Sequence, residues 1–96
     1  MIHLLEVGPD YSPAEIKKLL RKYAMTGGVE LGLKPDLDSA QLELIVQNFT
    51  PALAEVPVGS AERRASGAYR ILQLVSQNPL LSPQARASID SLLKLG

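Results

Sequence analysis

The chain lacks cysteine and tryptophan, has a single histidine, and carries ten basic and ten acidic residues that cancel one another. The absence of cysteine excludes disulfides, iron–sulfur clusters, thiolate zinc sites and cysteine nucleophiles. Zero net charge gives no general attraction to phosphate, so nucleic-acid binding would need a local basic patch. No apolar run approaches the roughly 18 residues that span a bilayer, and residues 1–7 lack the basic start and cleavage site of a signal peptide. We therefore expect a cytoplasmic protein without a membrane partner.

The composition is that of one small globular domain. Of the 96 residues, 46% are hydrophobic and 21% are charged, which is enough apolar material for one core and too much for a disordered segment. The chain contains no internal repeat, low-complexity segment or linker. We predict a single helical domain over residues 1–96.

Helix signals at four places predict a mainly α fold, a small bundle of four main helices. The first and last helices begin alike. Ser12 and Ser82 are predicted caps, and each is followed by a proline. Proline suits the first helical position because an N–H at that position would have no acceptor within the helix. Gly27 and Gly28 are predicted to end the first helix.

The second helix is predicted to begin at Asp38, with Gln41 completing a capping box. Thr50 and Pro51 then predict a break or a restart, since proline has no N–H for a continuing helix. We expect a short separate segment after this point, up to Val56.

The longest helical pattern covers residues 60–78, and we expect the rest of the domain to pack around it. Apolar residues recur there at spacings of three and four, which places them on one stripe of a single unbroken helix. The stripe comprises Ala61, Ala65, Ala68, Leu72 and Val75. Small residues at its start, including Gly67, would let another helix approach closely.

Residues 29–33 alternate between apolar and other side chains, a period typical of a strand. They are candidate partners for residues 2–7, whose apolar run fits either a strand or a helical turn. A short two-stranded pairing near the N-terminus is therefore an open alternative within the helical fold.

Residues with catalytic or metal-binding chemistry are sparse. His3 has no serine or cysteine motif near it in sequence, and a zinc site without cysteine or a second histidine would need carboxylates. Asp36 and Asp38 could reach one ion together, but the residues after them do not include the glycine and terminal glutamate of a calcium loop. A role as a helix cap therefore explains Asp38 better than a role as a calcium ligand. We predict no catalytic residue, no metal, no cofactor and a non-enzymatic function.

The feature with most functional content is a group of four basic residues on the first helix. Their positions, at i, i+1, i+4 and i+5, place them on one side of two turns, where like charges repel. They are Lys17, Lys18, Arg21 and Lys22. One interpretation is a solvated surface, and the other is a docking face for an acidic partner. Arg63 and Arg64 on the central helix extend the predicted partner-binding set.

Three segments resemble a J domain, a chaperone module. HLLEVGPDYSPAEIKKLLRKYA is similar to the family's short first helix, Ser-Pro-x-Glu cap and basic second helix, GAYRILQ to its third helix, and LSPQARASID to its final turn and helix. In that family a His-Pro-Asp loop drives stimulation of a chaperone ATPase. This chain instead has Lys34-Pro35-Asp36, and an additional predicted helix separates that tripeptide from GAYRILQ. The resemblance implies a degenerate J-like module whose basic helix docks a partner without stimulating an ATPase.

Three functional hypotheses follow. The preferred one is a non-enzymatic adaptor or protein–protein interaction module that docks an acidic partner through the basic face of the first helix. The alternative is a nucleic-acid-binding domain that uses the same face together with Arg63 and Arg64. The third is a helical homodimer whose self-complementary patch is formed by Leu92, Leu93 and Leu95.

Overall fold

The computed structural model describes residues 3–25 and 27–95, which form two strands and five helices. In chain order these are β1 (His3–Val7), α1 (Pro13–Ala24), β2 (Val29–Leu33), α2 (Ser39–Ala54), α3 (Ala61–Ala65), α4 (Gly67–Ser76) and α5 (Pro83–Lys94). The predicted mainly α fold is confirmed, with five helices in the described residues where four were expected. Residue 2, which the predicted first strand includes, lies outside the described residues.

The two strands form a parallel sheet, so the pairing left open near the N-terminus is present. His3 pairs with Val29, and Val7 pairs with Leu33. The strands run in the same direction because α1 lies between them as a crossover connection. Val7 is buried, whereas Leu4 is 65% exposed. The sheet therefore packs one face against the helices and presents the other to solvent.

α1 begins and ends where its local signals predict. Ser12 Oγ accepts a hydrogen bond from the Glu15 N–H at 3.2 Å, and Pro13 lies at the start of the helix. Beyond its other end, Gly27 and Gly28 have φ angles of 105° and 92°. Glycine adopts this left-handed region without the clash that a Cβ would cause, so the pair ends the helix.

α2 confirms its predicted start but not its predicted end. Asp38 accepts from the Gln41 N–H at 2.8 Å, and the Gln41 side chain accepts from the Asp38 N–H at 3.0 Å, which completes the capping box. The break expected at Pro51 is wrong, because α2 continues to Ala54. Proline removes one hydrogen bond near the helix end, and continuing the helix buries Leu53 completely.

The unbroken central helix predicted over residues 60–78 is also wrong, because an extended Ser66 separates α3 from α4. The Ser66 hydroxyl donates to the carbonyl of Arg63 at 2.7 Å and accepts from the Tyr69 N–H at 3.2 Å. One side chain thus caps α4 and holds the end of α3. A Cβ at Gly67 would lie 2.8 Å from Ile16 Cγ2, so α1 and α4 meet at the close approach that the small residues predicted.

Because of the break at Ser66, the two parts of the predicted apolar stripe lie on different helices and face different ways. Leu72 and Val75 of α4 are fully buried, whereas Ala61 and Ala65 of α3 are exposed. A continuous helix would have placed all four on one side. Because the backbone is extended at Ser66, α3 turns a different side toward the core.

α4 lies at the centre of the packing, since it contacts α1, α2, α3, α5 and β2. α5 starts as predicted, with Ser82 Oγ accepting from the Ala85 N–H at 3.3 Å. Near its end, Leu92 and Leu93 pack against the buried core, while Leu95 is 52% exposed. Much of the apolar surface considered for self-association is therefore used within the chain.

Candidate partner-binding surface

The basic face of α1, defined as Lys17, Lys18, Arg21 and Lys22, is exposed at all four positions. Ile16 on the same helix is buried and joins the hydrophobic core. α1 therefore presents its charges to solvent because its apolar side is docked. With Glu15 as its one acidic residue, the helix carries four positive charges and one negative charge, a net +3.

Internal partners do little to neutralise the basic face. Within residues 3–25 and 27–95, none of its four side chains forms an ion pair, whereas Lys34 pairs with Asp10 at 3.3 Å. Lys22 Nζ lies 5.7 Å from the centroid of the Tyr23 ring, a cation–π contact worth about 0.5–1 kcal/mol at an exposed site. The face is therefore a positive surface that an external anion can approach.

Arg63, predicted to belong to the partner-binding set, is buried, with 1% of its surface exposed. Its Nη1 donates to the carbonyls of Leu53 and Val56, both at 2.9 Å, and its Nη2 donates to the carbonyl of Leu92 at 3.0 Å. Placing Arg63 on an exposed basic surface was therefore wrong. The change of direction at Ser66 turns this part of α3 toward the ends of α2 and α5.

The Arg63 guanidinium joins the C-terminal ends of two helices. Leu53 lies in the last turn of α2 and Leu92 in the last turn of α5. Carbonyls there lack helical donors, and the helix dipole is negative at that end, so a cation is favoured. The planar fork of arginine reaches several such acceptors at once. Arg63 Nε is buried without a hydrogen-bond partner in the described residues.

Arg64 is exposed, but it borders a different part of the surface from the basic face. Together with Arg70 it lines a groove of about 530 Å³ between β2 and the junction of α3 with α4. Leu20 and Gly67 line both this groove and the larger one beside α1. Arg64 therefore borders a different groove from Lys17 and Arg21.

The larger groove has a volume of about 710 Å³ and lies between α1 and the segment from the end of α2 to the start of α4. We name it the charged groove. Lys17 and Arg21 line its α1 side, and Glu55 and Glu62 line the other side. Small and apolar residues line much of the remainder, namely Pro13, Ala14, Ile16, Leu20, Ala24, Ala52, Val56, Ala65, Gly67 and Ala68.

The opposite charges of the charged groove do not pair with one another. In the described part of the chain, neither Lys17 nor Arg21 forms an ion pair with Glu55 or Glu62. Sequence reasoning missed this arrangement because the two carboxylates lie in separate segments far along the chain from α1. The four residues reach one groove because α1 packs against both α2 and α4.

The other residues considered for chemistry have structural contacts. The His3 ring lies 4.6 Å from the Tyr23 ring, which links β1 to α1. Asp38 caps α2, as predicted. Asp36 adopts a φ of 63° in the turn before α2. Among residues 3–25 and 27–95, no group of three His, Asp or Glu side chains is placed to hold a metal ion.

No protein-family model, curated protein or solved structure matches the chain. The resemblance to a J domain therefore stays a prediction. The segment likened to that family's short first helix contains strand β1. In the portion of the chain that the structure describes, no helix combines the length and apolar character needed to cross a bilayer.

Proposed function

We propose that the chain is a non-enzymatic protein-interaction module of the cytoplasm, which docks an acidic partner through the basic face of α1. One observation carries this proposal: four positive charges are exposed on one side of one helix, and none is in an ion pair within the described residues. The apolar side of α1 is committed to the core, so the charged side is the one that remains for a partner.

The spacing of these charges makes an acidic partner favourable. Lys17 and Arg21 are four residues apart, as are Lys18 and Lys22, and like charges at this spacing destabilise a helix by about 0.2–0.5 kcal/mol per pair. An acidic surface would offset this repulsion on binding. It would also be steered toward the face before contact, which raises the association rate.

Arg63 takes no part in the proposed surface, because its guanidinium is engaged with carbonyls in the core. Its burial also removes one cation from the surface that the nucleic-acid alternative requires. Arg64 remains exposed beside the neighbouring groove. These facts favour an acidic protein over nucleic acid as the partner. The J-like form of the proposal names a chaperone as that partner.

The test is capture of partners from a lysate of the source organism with wild type and charge-neutral variants. K17Q/R21Q and K18Q/K22Q each remove two charges from the face, and glutamine keeps the helix propensity of lysine and arginine. R70Q/K94Q removes two exposed charges from α4 and α5 as a matched control. Bound proteins and nucleic acids are identified at low and moderate salt.

We expect at least one acidic protein to be captured by wild type and by R70Q/K94Q, and to be lost with one or both face variants. A chaperone among the lost proteins would support the J-like form. Recovery of nucleic acid at low salt alone, without a protein, would favour the alternative, because phosphate contacts weaken steeply as salt rises. Equal capture by all four chains would contradict the proposal.

A further inference from the structure

We propose that the charged groove binds an amphipathic helix of the protein partner. The acidic flank of this helix would lie against Lys17 and Arg21, and its basic flank against Glu55 and Glu62. This inference rests on the proposed function, since Lys17 and Arg21 belong to the basic face. It adds that the partner segment is a helix. It also adds that this helix carries positive charge on one flank, which the basic face alone does not require.

The lining of the charged groove suits an apolar helical stripe. On the α1 side, Ile16 is buried beneath the groove and Leu20 is half-buried. On the other side, Ala52 of α2 and Ala65 of α3 contribute small side chains. Small residues allow two helix backbones to approach closely. An apolar stripe at spacings of three and four on the partner would bury surface here that water otherwise covers.

A helix fits this groove better than an extended peptide does. The groove is lined mainly by helices, whose interior N–H and C=O groups already bond within their own helix. An extended peptide would lose water from its backbone with few acceptors or donors to replace it. A helix satisfies its own backbone and can be recognised through side chains alone.

The charges that line the groove determine which charges the flanks of the bound helix must carry. Lys17 and Arg21 attract carboxylates on the α1 side, but Glu55 and Glu62 would repel carboxylates on the opposite side. A helix that is acidic on both flanks therefore meets attraction along one edge and repulsion along the other. A helix that is acidic on one flank and basic on the other meets attraction along both. Lys18 and Lys22 do not line the groove, so they distinguish the basic face from the groove.

The probes are two synthetic amphipathic helical peptides with one leucine and alanine stripe in common. The mixed peptide carries glutamate on one flank and lysine on the other, and the acidic peptide carries glutamate on both. A peptide with exchanged flanks is not a control, because a helix turned end for end presents the same arrangement. Fluorescence anisotropy measures the Kd of each peptide, after circular dichroism confirms equal helicity.

Three chain variants separate the two sides of the groove. E55Q/E62Q neutralises the acidic side, K17Q/R21Q neutralises the basic side, and E6Q/E43Q removes two exposed carboxylates elsewhere as a control. We expect the mixed peptide to bind wild type more tightly than the acidic peptide. E55Q/E62Q and K17Q/R21Q should each weaken the mixed peptide about threefold to tenfold, the effect of losing two exposed ion pairs. E6Q/E43Q should bind like wild type.

The two proposals fail differently. Tighter binding of the acidic peptide, or no effect of E55Q/E62Q on the mixed peptide, would overturn the groove inference. If K17Q/R21Q and K18Q/K22Q then weaken the acidic peptide equally, the basic face still binds acidic partners outside the groove. Failure of both peptides to bind would also overturn the groove inference, while the lysate experiment would still decide the proposed function.

Discussion

Basic side chains occupy two opposite environments in this small fold. The basic face of α1 carries four cations in solvent, with no ion-pair partner in the described residues. Arg63 carries one cation in the core, where three carbonyls accept its N–H groups within 3.0 Å. The exposed charges are stabilised by water, and the buried charge is stabilised by the ends of two helices.

The difference shows that the neighbours of a charge, rather than its residue type, decide its role. A buried guanidinium without acceptors would be strongly unfavourable. Arg63 is tolerated because carbonyls at the C-terminal ends of α2 and α5, where the helix dipole is negative, accept its N–H groups. The described residues place no ion-pair partner beside the basic face of α1, so its charges are left for solvent or for a partner.

Removing Arg63 is the largest change that this comparison predicts. R63A should lower the free energy of unfolding by about 3 kcal/mol, since it creates a cavity and strips three carbonyls of a charged donor. A domain of this size has a total stability of about 5–15 kcal/mol, so the loss is a substantial fraction. Urea unfolding followed by circular dichroism measures it.

Two further variants sharpen the Arg63 result. K18A, on the exposed face, should change the free energy of unfolding by less than about 0.5 kcal/mol. R63K keeps the charge but offers a single ammonium, which cannot serve the ends of both α2 and α5, so it should recover only part of the loss. A wild-type stability for R63K would show that the charge alone matters and that the two-helix bridge does not.

The contrast also explains which parts of the fold were predictable from sequence. The caps Ser12, Asp38 and Ser82 were predictable because each bonds to an N–H three residues away. The burial of Arg63 was not, because its acceptors lie 7, 10 and 29 residues away and become neighbours only after packing. Local signals fix local structure, and the destination of a long side chain depends on distant segments.

The structure differs from the predicted helix ends at two places. Pro51 predicts a helix break, but the burial of Leu53 outweighs one lost hydrogen bond, and α2 continues. The helical spacing of residues 60–78 predicts Ser66 inside one helix, although serine is also a favoured N-cap residue that can start a new helix. For the candidate site, the four basic residues of α1 were found by their spacing. Glu55 and Glu62 were not, because no spacing relates them to α1.

A second prediction concerns the inner side of α1, which holds the basic face in place. A Cβ at Gly67 would lie 2.8 Å from Ile16 Cγ2 and 3.1 Å from Leu20 Cδ1. G67A should therefore destabilise the domain by about 1 kcal/mol, since overpacking costs about 1–3 kcal/mol and alanine recovers part of this through better helix propensity. Thermal and urea unfolding both report the loss.

G32A is the matched control for G67A. Its new Cβ would lie 3.6 Å from Leu4 Cδ1, an ordinary contact, and β2 keeps its register. We expect a change within about 0.5 kcal/mol. If G67A were as stable as G32A, α1 could move away from α4 without cost, and the geometry of the charged groove would not be fixed by this contact.

The smallest predicted effect is on the exposed side of the comparison. Replacing all four residues of the basic face with glutamine should leave the free energy of unfolding within about 0.5 kcal/mol of wild type. Relief of like-charge repulsion stabilises the helix by a few tenths of a kcal/mol. Loss of Arg21 and Lys22 from the last turn removes a favourable interaction with the helix dipole of similar size. The two effects oppose each other.

Measuring the free energy of unfolding at several salt concentrations tests whether two electrostatic effects nearly cancel or whether neither is present. Both opposing terms act between exposed charges and are screened at high ionic strength. The difference in unfolding free energy between wild type and the four-glutamine variant should therefore shrink toward zero between 0.01 and about 1 M salt. A loss above about 1.5 kcal/mol that persists at high salt would mean that these side chains pack against the fold. The basic face would then stabilise the domain, as Arg63 does, and the proposal that it is a docking surface would be wrong.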